Sequence, residues 1–327
     1  MPGPRGSKPM ARLKGGTAVG RLQKVSRRRL KKSIPLYFMM SLSLLYFLVN
    51  NYIPMAGLVI AFKRIDYRVG ILKSPFIGLE NFKYLFATDD AWVITRNTLL
   101  YNASFIVVNT VLAVIIAIFL NEVRSKGRRS FFQSAVLLPY LISMIIISYI
   151  ANAFLHSDYG LINRVILPLF GADKVSWYMD AGKWPFILTF VNAWKNVGYL
   201  SIIYYSAVIG IDRQLLEAAA IDGASRVKQI FNVTLPLIKP VIITMVLLAV
   251  GRIFYSDFGL FYHVPMNTGI LYSATNVIDT YVYRGLMQLG NIGMSSAAGL
   301  YQSFVGFVLV LASNFAVRRI SPENALF

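Results

Sequence analysis

Long apolar runs separated by short polar stretches organise this chain. Six of them, residues 35–62, 98–120, 131–155, 185–211, 240–262 and 297–317, reach the roughly 20 residues that a helix needs to cross a hydrocarbon core of about 30 Å. They are solidly apolar, without the strict alternation of a lipid-facing strand, so the pattern predicts helices rather than a barrel. The expected fold class is an all-α integral membrane protein with six transmembrane helices.

One polar island between the fourth and fifth runs has a structure of its own. Gln214 to Ile221 is rich in Leu, Ala and Glu, which are strong helix formers, and Gly223 supplies a permissive backbone where the helix must end. A short helix that stops sharply is predicted. Ala218, Ala219 and Ala220 keep it thin, and Glu217 and Asp222, five residues apart, project from different parts of its surface. Such a helix can enter a groove on a partner; the plainer reading is a solvated helix that merely joins two spans.

Composition agrees with a bilayer. Hydrophobic residues make up 56% of the chain and charged ones 14%, and the mean hydropathy is +0.58, far from the surface of a soluble domain. The distribution of Lys and Arg orients the spans. Eleven of them precede residue 33, and no acidic residue occurs before Asp66. With six spans, 21 basic residues fall on the side of the N-terminal tail and 10 on the other, so both termini are expected in the cytoplasm. The basic tail, residues 1–33, reads as a lipid-attracted topogenic segment rather than a nucleic-acid site. It does not resemble a cleaved signal, because the first run is longer than a signal core and Lys63-Arg64 follow it directly.

Several chemistries are excluded. There is no cysteine, so no disulfide, thiolate metal site or cysteine nucleophile can form. The two histidines, His156 and His263, lack partners at metal-ligand spacing and read as interfacial residues. No G-x-x-x-x-G-K-[ST] occurs, so the chain has no phosphate cradle of that kind. No catalytic residue, metal site or cofactor is expected in this chain. Energy for any transport must come from another subunit or from an ion gradient.

The polar island carries a further signal. Glu217-Ala218-Ala219, then three residues, Gly223, nine residues, Val233, one more, and Leu235-Pro236 resembles the EAA coupling loop of permease subunits in binding-protein-dependent ABC importers. Val233 stands where Ile is commoner, and both are β-branched aliphatics. Phe76-Ile77-Gly78-Leu79-Glu80-Asn81-Phe82 and Asn97-Thr98-Leu99 are similar to the outer segment and core entry of sugar-type permeases. Thr280-Tyr281-Val282-Tyr283-Arg284, Ser296-Ala297-Ala298-Gly299-Leu300-Tyr301-Gln302-Ser303, Asn314 and Arg318-Arg319 resemble the oligosaccharide and polysaccharide branch, which includes alginate importers. The resemblance covers nearly everything after residue 34.

That resemblance implies a type I ABC importer permease in a bacterial cytoplasmic membrane. It divides the chain into a basic cytoplasmic tail (1–33), a first transmembrane helix with an outer segment (34–94), a transmembrane core (95–318) with the EAA loop at about 212–239, and a cytoplasmic tail (319–327). The implied partners are a second homologous permease, two ATPase subunits that bind ATP and Mg, an extracytoplasmic solute-binding protein and a saccharide. Glu217, Ala218, Ala219, Asp222, Gly223, Val233, Leu235 and Pro236 would form the ATPase-coupling loop, with Glu217 facing a basic residue of the ATPase groove.

Ionisable residues inside apolar runs need a reason, since a charge at the bilayer centre costs about 2.5–3.5 kcal/mol on insertion scales. Lys195 and Arg252 lie in such runs, near Asn192, Trp194, Tyr199, Tyr255 and Asp257. Aromatic faces and hydrogen-bonding groups of this kind suit sugars, and Arg or Lys suits a uronate carboxylate. These seven residues are the expected substrate path; the alternative is that Lys195 and Arg252 only fix helix packing. Two other function classes stay in view at this point. An ion-coupled secondary carrier would use mid-membrane acids, for which Asp257 is the candidate, and a non-transporting scaffold would require neither the EAA loop nor the charged spans.

Overall fold

The computed structural model describes residues 27–320. Among them the chain is helical, and its one extended pairing is an isolated antiparallel bridge between Lys63 and Phe76. Arg5, Lys8, Arg12, Lys14, Arg21 and Lys24 of the basic tail, and the C-terminal tail from residue 321, lie outside the described residues. Five helical runs are long and apolar enough to cross a membrane: Ser33–Phe62, Asp90–Glu122, Ala181–Ile209, Arg226–Val250 and Ile292–Arg319. Among the described residues a bent pair, Lys126–Leu141 with Met144–Leu155, brings the number to six when it is counted as one span.

The chain divides into two units, before and after residue 57. The first contains α1 (Arg27–Phe47), with Pro35 inside it, a π-turn at Leu48–Tyr52 and a short helical stretch, Ile53–Met55. The second contains α2 (Glu80–Phe86), α3 (Asp90–Glu122), α4 (Lys126–Leu141), α5 (Met144–Leu155), α6 (Trp184–Ile209), α7 (Arg213–Ile221), α8 (Leu235–Val250), α9 (Phe258–His263), α10 (Ile278–Met287) and α11 (Ile292–Ile320).

Prolines set the local irregularities. Among the described residues three π-turns occur, Leu48–Tyr52, Ile162–Ile166 and Ile230–Thr234, and each is followed two residues later by a proline: Pro54, Pro168 and Pro236. A proline has no N–H to donate, and its ring presses on the carbonyl four residues back. That carbonyl, on Asn50, Arg164 or Asn232, lies inside the π-turn in every case. The wider turn relieves the clash without ending the helix.

Two of the apolar runs depart from single straight spans. Residues 131–155 form α4 and α5, which meet at a bend of 96°. Ile142 and Ser143 are extended there, and the Ser143 hydroxyl caps α5 by accepting from the Ile146 N–H at 3.4 Å. In the fifth run the helix begins at Arg226, through the π-turn, and stops at Val250, so residues 251–257 are not helical as the apolar pattern suggested. Leu235-Pro236 therefore lies inside this helix rather than ahead of it.

In the second unit α3 and α6 form the most extensive helix pair. One half of it is filled by Tyr101, Phe105, Leu188, Val191 and Phe261, and the other half by Ala113, Ala117, Val197 and Tyr204, with Ile238 of α8. A further cluster joins Leu85, Ile94, Phe254, Ile278 and Ala298. α4 comes closest to α6 at Gly198, where an added Cβ would sit 1.7 Å from the Val136 carbonyl oxygen. In the outer segment, Asn81 donates to the carbonyls of Ala61 and Lys63 at 2.9 Å each, which accounts for an asparagine in the Phe76-to-Phe82 motif.

Candidate functional site

Two surfaces draw together the residues singled out by sequence. The first is the coupling loop. Asp212 adopts an extended conformation and its carboxylate accepts from the Gln214 N–H at 2.9 Å, the N-cap that starts α7. At the other end Gly223 has φ +77°. The Ala224 N–H reaches the Ala219 carbonyl at 2.9 Å and the Gly223 N–H reaches that of Ala220 at 3.1 Å, the paired closure of a Schellman motif. Asp222 is the C-cap and Ala218 accepts its N–H.

α7 buries no residue of its own in this chain. Ile221 is 87% exposed and Leu215 49%. Glu217 is exposed and makes no ion pair among the described residues, although Arg124, Arg129, Arg213 and Arg226 line the same cleft of about 530 Å³. Val233 and Leu235 are half-buried and Pro236 is exposed on the run that continues into α8.

The second surface is a cleft of about 430 Å³ between α3, α4, α6, α8 and the non-helical segment 251–257. Asn192, Tyr199, Arg252, Tyr255 and Asp257 all line it. Asn196, another neighbour of Lys195 in sequence, lines it too, while sequence reasoning missed Asn102, Asn109, Tyr140 and Tyr204 on the same walls. Tyr140 and Tyr199 stack at 4.7 Å with their planes 12° apart. Asn109 donates to the Asn192 Oδ1 at 2.8 Å, and its own Oδ1 is buried without a partner. A buried acceptor left unmatched costs about 1–3 kcal/mol. Arg252 is exposed, with no ion pair among the described residues.

Trp194 and Lys195 belong elsewhere. Trp194 faces a separate apolar cleft with Phe154, Phe186 and Phe190. Lys195 donates to the carbonyls of Tyr140 at 3.1 Å and Ile142 at 2.5 Å, which are left free where α4 stops at its bend. Its charge therefore braces the broken span instead of lining the cleft. Lys195→Met is expected to lower the thermal midpoint of the purified protein, since each abandoned carbonyl costs about 1–3 kcal/mol. Arg252→Met, which breaks no bond, should leave the midpoint in place. Equal midpoints for the two variants would refute the bracing role.

Asp257 lines the cleft, but it is not the buried mid-membrane acid. It is the N-cap of α9, its carboxylate accepting from the Leu260 N–H at 3.1 Å, and it is exposed. The more buried acid is Asp279, which accepts from the Ser256 N–H at 2.8 Å and from Gln302 Nε2 at 3.1 Å. Burial pushes its carboxyl above the ordinary aspartate range, against the pull of those two donors. Nearby, Arg284 is buried among neutral groups, donating to Asn267 Oδ1 at 2.9 Å, to Thr280 Oγ1 at 3.1 Å and to Asn276, and stacking on Tyr272.

A membrane-spanning helical core, an unpartnered capped helix on a polar loop and an internal polar cleft define a transport subunit. Residues 109–322 match the family described as the binding-protein-dependent transport system inner membrane component, and the chain belongs to that family. It is thus a multi-pass inner-membrane permease. It is 32% identical over 294 residues to the polygalacturonan/rhamnogalacturonan transport system permease protein YteP of Bacillus subtilis (strain 168), covering 88% of this chain and 89% of the relative. Its fold matches the crystal structure of a bacterial ABC transporter involved in the import of the acidic polysaccharide alginate, with TM-score 0.81, 31% identity, and coverage of 90% of this chain and 99% of that one. A second structure of a bacterial alginate ABC transporter, in complex with an alginate pentasaccharide-bound periplasmic protein, matches with TM-score 0.81 and 30% identity over 91% of this chain and 99% of that one.

Proposed function

We propose that this chain is the permease of an ATP-driven importer that passes an acidic oligosaccharide, or a fragment of a polysaccharide, delivered by an extracytoplasmic solute-binding protein. A second homologous permease completes the membrane core, and two ATPase subunits carry ATP and Mg beneath it. The observation that carries the saccharide reading is the cleft: four asparagines, four tyrosines and Arg252 converge on one cavity. Tyrosine faces pack on the C–H faces of pyranose rings, the amides pair with hydroxyls, and an arginine without an acid partner suits a uronate. YteP and the alginate transporters, whose names specify acidic polysaccharides, support the same class. The relatives' kinship weighs against an ion-coupled carrier and against a scaffold.

The coupling loop supports the ATP-driven half. Glu217, Ala218, Ala219, Asp222 and Gly223 lie on an exposed helix that docks in the ATPase groove, with Val233, Leu235 and Pro236 joining it to the span. Reconstitution with the binding protein, partner permease and ATPases tests the proposal: uronate oligosaccharide should accumulate in vesicles only with internal ATP. Accumulation driven by an ion gradient without ATP would overturn it.

Orientation follows from the basic residues, with both termini cytoplasmic. Because the chain has no native cysteine, single cysteines report cleanly. Those placed at Lys126 and Ser225 should react with an impermeant maleimide only after permeabilisation, and one at Asn291 should react in intact spheroplasts. The reverse pattern would invert the topology.

A further inference from the structure

Segment 251–257 interrupts a largely apolar part of the chain and leaves backbone groups without helical partners, an arrangement tolerated at membrane depth only where protein or a cavity supplies replacements. Here three helices supply them. Asn102 of α3 donates to the carbonyls of Ile253 at 2.9 Å and Tyr255 at 3.2 Å. Gln302 of α11 donates to the carbonyl of Phe254 at 2.9 Å, and Asp279 of α10 accepts the Ser256 N–H at 2.8 Å. Gln302 also donates to the same Asp279 oxygen, at 3.1 Å, so the two act as one unit. Phe254, between them, is 1% exposed and anchors the segment in the cluster with Ile278 and Ala298.

Arg252 and Tyr255, by contrast, are exposed and turned to the cleft. Every clasped backbone group lies between or directly beside these two residues. We propose that Asp279 and Gln302, with Asn102, are positioning residues that fix the orientation in which Arg252 and Tyr255 meet the transported saccharide. This rests on the reading of that cleft as the substrate path. Asp279 acts here as an acceptor of two N–H groups, not as a charge: no cation pairs with it among the described residues. An amide oxygen in the same place can accept both bonds.

The test compares Asp279→Asn with Asp279→Ala in the reconstituted complex, with uptake of a uronate oligosaccharide as one readout. The other is the rate at which a single cysteine replacing Tyr255 reacts with a water-soluble methanethiosulfonate, which requires no substrate. Asp279→Asn should retain both within about twofold of the parent. Asp279→Ala should raise the uptake KM about three- to tenfold, the range for losing one or two neutral-strength hydrogen bonds, and change the reactivity at position 255. Reactivity of a cysteine at Asn291 should be unchanged in both. If Asp279→Ala does not reach the membrane, Gln302→Met, which removes both amide bonds at similar length, takes its place. Equal damage from Asn and Ala would assign a charge or proton role and overturn the clasp, and so would unchanged KM and reactivity in the Ala and Met variants. Altered reactivity at 255 with no change in uptake by any variant would instead remove the cleft from the substrate path.

Discussion

Reversing one charge on the coupling helix, Glu217→Lys, is expected to lower substrate-stimulated ATP hydrolysis at least about tenfold while leaving the protein inserted and assembled. Glu217 is exposed and has no internal ion pair among the described residues, and α7 buries nothing, so the fold does not depend on this side chain. A lysine there adds a cation to a cleft already lined by four arginines and, in the proposed complex, would present like charge to the basic residue that Glu217 faces, a juxtaposition that costs several kcal/mol. Gly223→Pro should have the same effect by a different route. Proline holds φ near −65° and has no N–H, whereas Gly223 has φ +77° and donates to Ala220. The helix would then lose its closing turn. ATPase activity of the reconstituted complex, with and without loaded binding protein, checks both; parental stimulation in the two variants would remove the coupling assignment.

The second large effect is on the cargo. Arg252→Met should reduce uptake of a uronate oligosaccharide by roughly ten- to a hundredfold, the equivalent of one charge-assisted hydrogen bond at about 1.5–3 kcal/mol. A neutral oligosaccharide of equal length should lose little. The affinity of the solute-binding protein should not change, because selection there precedes docking. Matched expression and initial rates of uptake decide it. Equal, near-normal uptake of both sugars would return Arg252 to a packing role, and equal loss of both would separate the residue from carboxylate recognition.

The helical fold was legible because apolar run length is a direct consequence of bilayer thickness, and the coupling helix because its start and stop depend on local chemistry. Even there a cap went unread: Asp212, immediately ahead of Arg213-Gln214, is a helix-starting residue in its usual place. The cleft was only half legible. Sequence proximity to a charge groups Trp194 with Lys195, but helix geometry turns neighbouring residues about 100° apart, and the two face different surroundings. The break at Ile142 that Lys195 serves depends on how α4 meets α6 through Gly198, a contact across some sixty positions of chain. Asp279 and Gln302 were invisible as a pair for the same reason. Gln302 stands in a quoted motif and Asp279 directly ahead of another, yet their joint task exists only once residues 251–257 leave the helix, and apolar periodicity carries no mark of that departure.

Four residues separate the end of the coupling helix from the helical run Arg226–Val250, which stops at the segment that bears Arg252. At 1.5 Å per residue its 25 residues make a strut about 37 Å long. A tilt of about 10° imposed at its Arg226 end would sweep the far end through about 6 Å, close to the width of a sugar ring, by the geometry of a rigid rod of that length. If the proposed coupling holds, the straight stretch Leu235–Val250 beyond the π-turn at Ile230–Thr234 would be the long arm of a lever whose tip carries the arginine. Angular motion too small to disturb packing at the loop becomes a displacement large enough to matter to a passing monosaccharide unit.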